Sequence, residues 1–303
     1  MPEHRFTLPS FAKINLRLHV LGKRADGFHE LCTIFQTVSL CDYLTFDQSE
    51  RIALTCNDEK IPTGDENLIV KAAKILQSKF QIEKGAKIHL EKNIPAPGGL
   101  GGGSSNAAVA LIGLAKLWRI KIEFEDLCAI GEKLGSDVPF FFYGGTALGT
   151  GRGTKIVSLE DFSAGNMLIV TPRADVSTRT AFARLNVPDL TNFDSKSILK
   201  ICRDEAETLY LRQSELKNDF EATVFELEPE TARVKQKLFD YDAKYALLSG
   251  SGASVFAIFD SDLKRRKAFD ELKEECDWRV FSVKTVARRD YLEHLNFDKF
   301  PRS

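Results

Sequence analysis

From Pro95 to Ala107 the chain reads PAPGGLGGGSSNA, and residues 98–103 are Gly98, Gly99, Leu100, Gly101, Gly102 and Gly103. Glycine loses more conformational freedom on ordering than any other residue. Such a run therefore marks a loop where side chains would obstruct a group that must approach the main chain. A helical pattern of Ala108, Leu111, Ile112, Ala115 and Trp118 follows directly. The first N–H groups of a helix have no internal partner, and the helix dipole makes that end partly positive. A glycine loop leading into it lets phosphate oxygens reach several donors at once. Ser104 and Ser105 stand where a hydroxyl either caps the helix or turns toward a phosphate or its metal ion. A Walker A loop is excluded, because serine rather than lysine follows the last glycine. G-x-G-x-x-G also fails, with Leu100 third from Gly98 and Ser104 sixth from Gly99. The pattern predicts anion binding; a glycine turn packed tightly under a helix is the alternative.

Phosphate binding alone does not make a kinase, since an acceptor hydroxyl must be oriented and developing charge neutralised. Lys13 and Asn15 share the polar face of an alternating segment and are candidates to aim into a cleft, against the alternative of a solvated strand lysine. Asp137, in GSDVP, is a candidate for the acceptor's proton, with helix capping the competing role.

These residues need elements to hold them. FAKINLRLHVL alternates as a half-buried strand, with Ala12, Ile14, Leu16, Leu18 and Val20 on one face. GKRADGFHEL is a turn, and CTIFQTVSL and DYLTF resume strand patterning. DENLIVKAAKILQSKF reads as a helix capped by Asp65, with Leu68, Ile69, Ala72, Ala73 and Leu76 as its buried stripe. AKIHLE is a strand leading into the glycine run, and a helix over Phe124–Leu134 stops at Gly135. NMLIVTP, YALL, VFAIF and a segment near Val280 read as strands. STRTAFARL, a charged stretch over 195–237 and the segment 263–275 read as helices. Early strands with intervening helices, then a helix-rich second half, predict an α+β fold with a soft boundary near Lys155.

The 303 residues suffice for two modest domains, and 42 Lys plus Arg against 43 Asp plus Glu argue against a partner that is nucleic acid or an acidic membrane. Six scattered cysteines without a C-x-x-C pair read as reduced thiols, and the five histidines lack metal-ligand spacing. The charged start is no secretory signal, and the uncharged stretch 93–115 holds too much Gly, Pro, Ser and Asn to span a bilayer. A cytoplasmic protein without a membrane segment is expected; subunit number is not legible.

AKINL at 12–16, PAPGGLGGGSSNA and LLSGSGASVF at 247–256 resemble the galactokinase–homoserine kinase–mevalonate kinase–phosphomevalonate kinase superfamily. KRADGFHEL and GSDVPFF narrow the likeness to its branch acting on a cytidine-diphosphate-linked methylerythritol in the non-mevalonate isoprenoid route, over all but the last dozen or so residues. The resemblance implies an ATP-binding domain over 1–155 and a substrate-binding α/β-sandwich domain over 156–303, with the active site between them. It implies transfer of the γ-phosphate of ATP to the acceptor's 2-hydroxyl, with Asp137 taking the proton and Lys13 paired to it. Pro95, Ala96, Pro97 and residues 98–105 would wrap the triphosphate, bridged by Mg²⁺ whose protein ligands are not evident. Asn67, Leu68 and Lys92 would lie near the adenosine. For the acceptor, His29 would read the cytosine edge while Phe28 and Phe182 stack on its two faces. Asn15 and Thr178 would contact the remainder, and Gly250, Ser251 and Gly252 would approach its phosphates. Tyrosine is frequent at the position of Phe28 in that branch; phenylalanine keeps the flat face and loses the hydroxyl. The aromatic pair discriminates this branch from relatives acting on homoserine or mevalonate, and the retained Lys13 and Asp137 speak against a non-catalytic RNA-binding protein.

Overall fold

The structure, a computed structural model, describes residues 5–174, 176–185, 187, 197, 200, 202, 204 and 216–296. Most of the charged stretch expected as helix over 195–215, and the tail from residue 297, lie outside the described residues.

Two long strands form the spine. β1 (Phe6–Lys23) and β2 (His29–Ser49) pair antiparallel across the turn predicted at GKRADGFHEL. β2 then serves two neighbours. Its first half pairs with β5 (Thr146–Gly151), which continues to β6 (Lys155–Ser158), and its second half pairs with β4 (Gly85–Glu91), which carries β3 (Ala53–Cys56). A short β8 (Lys217–Asn218) joins the far side of β1. A second, four-stranded antiparallel sheet has the order β11 (Trp278–Val283), β7 (Met167–Pro172), β10 (Val255–Ile258), β9 (Tyr245–Leu248). The mixture is the expected α+β.

β1 is not half-buried. Ala12, Ile14 and Leu16 pack on Met167, Ile169, Leu247 and Phe256 of the second sheet. Lys13 and Asn15, on the face expected to meet solvent, are only 3% and 1% exposed because the glycine loop covers them. A period of two shows which residues share a face and not how many layers will cover each. Register shifts between Phe11 and Ala12, and between Asn15 and Arg17, mark irregularities on both sides of this polar pair; such bulges re-aim side chains.

The helices pack on both sheets. α1 (Leu68–Phe80), α2 (Gly102–Leu117) and α3 (Phe124–Leu134) share the first core with Leu8, Leu44, Phe46 and Ile88. α2 is buried nearly all round, as expected of a helix whose second half is almost wholly apolar. The cap of α1 is Asn67 rather than Asp65: its Oδ1 accepts from Ile69 N at 2.9 Å. The helix starts at Leu68, where the apolar stripe begins, so the capping role falls to the polar residue directly before it and not to Asp65 two positions further back. After α3 comes the one-turn α4 (Phe140–Tyr143). α5 (Thr178–Arg184), α6 (Glu221–Leu227), α7 (Pro229–Asp240) and α8 (Asp262–Leu272) accompany the second sheet, and contribute Ala181, Val224, Val234, Leu238, Ala268 and Leu272 to its core.

The last helix, α9 (Arg288–Leu295), returns to the first core. Its Tyr291 is fully buried and donates its hydroxyl hydrogen to Phe141 O, while burial raises its pKa above the ordinary phenol value. A Cβ on Gly144 (φ +64°) would stand 2.1 Å from the Tyr291 ring, so only glycine fits opposite it. Tyr291→Ala is expected to cost about 3–5 kcal/mol in denaturant-induced unfolding, against about 1 kcal/mol for Tyr291→Phe.

Candidate active site

Lys13 is the joint of the site. Its backbone N–H donates to Leu100 O at 2.9 Å, so β1 and the glycine loop are bonded at this residue. Its ammonium donates to Asn15 Oδ1 at 2.8 Å and Gly99 O at 3.0 Å, and lies 3.4 Å from Asp137 Oδ2. Three acceptors match the three N–H donors of an ammonium, which offsets the loss of hydration on burial. The Phe35 ring lies 5.6 Å away and stacks on Phe140 at 4.8 Å, giving the pair an apolar floor. Asn15 is oriented in turn: its Nδ2 donates to Thr33 Oγ1 at 2.7 Å, and Thr33 donates to Arg17 O.

Asp137 sits in the turn between Gly135, where α3 ends, and α4. α4 has Pro139 at its N-cap and no side-chain capping bond, so Asp137 does not cap it. One third of its side chain stays exposed toward the cavity, unlike that of Lys13. The two residues that sequence left unconnected are brought together.

The glycine run wraps the start of α2, with Gly101 at the N-cap in the left-handed region (φ +69°). A Cβ on Gly99 (φ +71°) would stand 2.1 Å from Ser249 O, and one on Gly101 would meet Lys13 Cγ at 2.9 Å. These glycines are required by close approach of protein to protein. Gly103 differs: a Cβ there meets nothing within 4 Å, and this open side borders the cavity. The late loop docks on the same run, with Ser249 Oγ donating to Gly99 O at 3.0 Å and Ser254 N to Gly98 O at 3.2 Å.

One cavity of about 910 Å³ contains Lys13, Asn15, Asp137, Leu68, residues 95–104 and the late loop's Gly250, Ser251 and Gly252. Its lining carries the cations Lys13, Lys23, Arg152 and Arg179 against the single carboxylate of Asp137 among the described residues. In a chain of net charge −1, that imbalance makes the cleft a local sink for polyanions. At its far end the rings are arranged differently from the expected sandwich. Phe182 stacks on His29 (4.9 Å between centroids, 26°) and meets Phe220 edge-on. Phe28, 49% exposed, carries the Arg152 guanidinium at 4.6 Å from its centroid. Burial first and the charge of Lys23 second hold the His29 pKa below the ordinary imidazole range. His29 is therefore neutral near pH 7, with one ring nitrogen donating and the other accepting. Thr178 Oγ1 is 2.9 Å from Ser251 Oγ, bridging α5 to the late loop.

Comparison with known proteins places this geometry. Residues 67–145 match the GHMP kinases N terminal domain, and residues 194–277 match GHMP kinases C terminal. The 4-diphosphocytidyl-2-C-methyl-D-erythritol kinase of Thermoanaerobacter pseudethanolicus is 37% identical over 284 residues, which span 93% of this chain and 96% of that one. The enzyme of the same name from Enterococcus faecalis is 38% identical over 91% of this chain and 97% of its own length. A crystal structure of 4-(cytidine 5'-diphospho)-2C-methyl-D-erythritol kinase superposes with TM-score 0.73 at 30% identity, covering 92% of this chain and 99% of that one. The chain belongs to the 4-diphosphocytidyl-2-C-methyl-D-erythritol kinase family. It is an ATP-dependent kinase of the GHMP class. Among the described residues no helix is long and apolar enough to cross a membrane.

Three expected nucleotide contacts lie outside the cavity of this kinase. Asn67 is engaged as the cap of α1 and donates to Pro62 O at 2.6 Å. Ser105 is fully buried, with its hydroxyl accepting from Ser10 Oγ at 2.8 Å rather than turned outward. Lys92 points beneath the loop, where its ammonium donates to Asp42 Oδ2 and Ile94 O, each at 2.7 Å. Burial lowers the Lys92 pKa and the Asp42 charge opposes that. In the late loop Gly252 N already donates to Ser249 O at 3.1 Å, so it is not a free donor for phosphate. Sequence missed Thr33, Phe35 and Arg152. The first two are cross-strand neighbours of Leu18 and Asn15, a signal available once the two long strands are paired as a hairpin. Arg152 arrives from a glycine turn distant in sequence, with no such signal.

Gly103→Val is expected to fold with an unchanged melting temperature while raising the KM for ATP about tenfold or more in steady-state assays, because it alone among the loop glycines faces open space. Gly101→Val is expected to lose stability as well, through its collision with Lys13 and Phe141.

Proposed function

We propose that the kinase transfers the γ-phosphate of ATP to the 2-hydroxyl of 4-diphosphocytidyl-2-C-methyl-D-erythritol. The observation that carries this is the Lys13–Asp137 pair, 3.4 Å apart beside the glycine loop and within one cavity with Phe28, His29 and Phe182. The triphosphate rests on residues 98–104, where loop and helix N–H groups face the cleft. The acceptor's base lies at the aromatic end, with its alcohol toward Asp137.

Phosphoryl transfer passes through a loose transition state, so positioning and charge stabilisation do most of the work. Asp137 accepts the hydrogen bond of the acceptor alcohol and takes its proton as the phosphorus–oxygen bond forms. Lys13, fixed by Asn15 and Gly99 O, keeps that carboxylate aimed and offsets charge on the moving group. Mg²⁺ binds mainly to phosphate oxygens and waters with one or two protein oxygens. No cluster of three or more metal-ligating side chains occurs among the described residues, and Ser104 and Asp137 on the lining fit that lighter demand. Mg²⁺ held there with the triphosphate would neutralise charge on the phosphate oxygens.

At the other end the base stacks on Phe28 and enters beside His29, whose contact with Phe182 opens to admit it. His29 reads the base edge, Asn15 and Thr178 hold the tetritol, and Gly250 and Ser251 approach the diphosphate. Lys23, Arg152 and Arg179 supply a cationic surround for that diphosphate. The parts on either side of residue 155 divide the work, nucleotide mainly before it and acceptor shared across it.

Purified protein offered ATP with this acceptor or with mevalonate tests the assignment. Turnover of the cytidylyl compound is expected; turnover of mevalonate alone overturns it. Asp137→Ala is expected to lower kcat by about 10²-fold or more with the KM for ATP nearly unchanged. His29→Ala is expected to raise the acceptor KM. In the native enzyme that KM stays flat from pH 8 down to about 6.5 and rises only below it, because the imidazole remains neutral above its lowered pKa.

A further inference from the structure

Asp42, on β2, is wholly enclosed and lies outside the cavity. Its Oδ1 accepts from the backbone N–H groups of Asn93 and Ile94, both at 2.7 Å. Its Oδ2 accepts from Lys92 Nζ at 2.7 Å and Asn106 Nδ2 at 2.9 Å. Four donors fill the acceptor capacity of one carboxylate. Three of them come from the segment leading into the glycine loop, and the fourth from α2, which leads out of it. Asn106 Nδ2 also donates to Ser10 Oγ at 2.9 Å, which in turn donates to Ser105. The Lys92 ammonium lies 2.9 Å from where a Cβ on Gly102 would stand, directly behind the first residue of α2.

We infer that Asp42, with Lys92, is a positioning residue for the nucleotide: the pair clamps both anchor points of the glycine loop from behind. The inference rests on the loop being the triphosphate cradle. An apolar pair would fill this volume without desolvating two charges. It would also leave the Asn93 and Ile94 N–H groups without acceptors at the point where the chain enters the loop. Donors aimed in advance stabilise an arriving anion better than donors that must reorganise. Lys92 thus serves the nucleotide through the loop it supports and not by touching the adenosine. Asn106 carries the same constraint to the far anchor.

The test compares Asp42→Asn, Lys92→Met, the double variant, Asn106→Ala and Gly103→Val in the full chain, by thermal unfolding and by steady-state kinetics with both substrates varied. Each single change at the ion pair strands a buried partner and lowers the melting temperature; the double change removes both charges and recovers most of it. The double variant is nevertheless expected to keep a KM for ATP raised about tenfold, with the acceptor KM and kcat within about threefold of native. Asn106→Ala, which alters no charge, is expected to shift the ATP KM in the same direction. Recovery of the ATP KM together with the melting temperature overturns the inference, as does a loss confined to kcat or the acceptor. Should the double variant fail to fold, an unchanged ATP KM in Asn106→Ala overturns it. Gly103→Val separates the two levels. If it raises the ATP KM while the clamp variants do not, the clamp alone is refuted. If none of them raises it, the loop is not the nucleotide cradle and both fall.

Discussion

A buried ammonium is the constraint on which the site depends. Lys13 loses almost all its water and regains it as three protein oxygens from three places: its own strand, the glycine loop and the turn after α3. Burying such a charge is unfavourable unless every donor is met. The native arrangement is therefore the one in which strand, loop and turn arrive together. Lys13 ties the position of Asp137 to the glycine loop across separate stretches of chain, which makes the couple between proposed base and proposed phosphate cradle a matter of folding. The late loop adds a second tie through Ser249 and Ser254, so Gly99 O is bonded from both Lys13 and Ser249 while Gly98 O accepts from Ser254.

The two ends of the cleft use different physics. Near Lys13 the ammonium is buried and holds two short hydrogen bonds beside the Asp137 carboxylate, and it can shift little without losing a partner. Near Phe28 the surfaces are exposed and aromatic. Arg152 lies over one ring and is held by Glu132 Oε1 at 3.3 Å, while His29 and Phe182 fill each other's faces. A base stacked on an aromatic ring gains about 1–3 kcal/mol, and such a face accepts one flat partner in place of another. A rigid end at the proposed base and an adaptable end at the proposed recognition surface would suit a transfer that needs in-line geometry at one atom and only capture at a distance.

The legible parts were those governed by local rules. The strand around Lys13, the helix ending at Gly135 and the glycine loop before α2 each follow from spacing, and each is present. What failed was the direction of side chains on those elements. Asp65 and Asn67 are both good caps, and only the true start of α1 decides between them. Ser104 and Ser105 are adjacent, yet neighbours on a helix point about 100° apart, so the second turns inward to Ser10. Lys92 looked available until Asp42, fifty residues earlier in the chain, claimed its ammonium. Asp42 itself sits in an unremarkable LCDYLTF segment, where nothing marks a carboxylate that will accept four hydrogen bonds. Burial by a second layer, and partners distant in sequence, are tertiary facts that no local period encodes.

The return of α9 to the first core bears on how the molecule is made. Tyr291 fills the space opposite Gly144 and bonds Phe141, on the one-turn helix directly after Asp137. During synthesis the early sheet and its helices emerge long before that plug exists. The nascent half can collapse, but the floor beneath its carboxylate stays unfinished until residues near 291 leave the ribosome. With Asp137 as the proposed base, competence for chemistry would come as one of the last events of translation, and a chain cut short before α9 would leave the turn carrying that carboxylate without its plug.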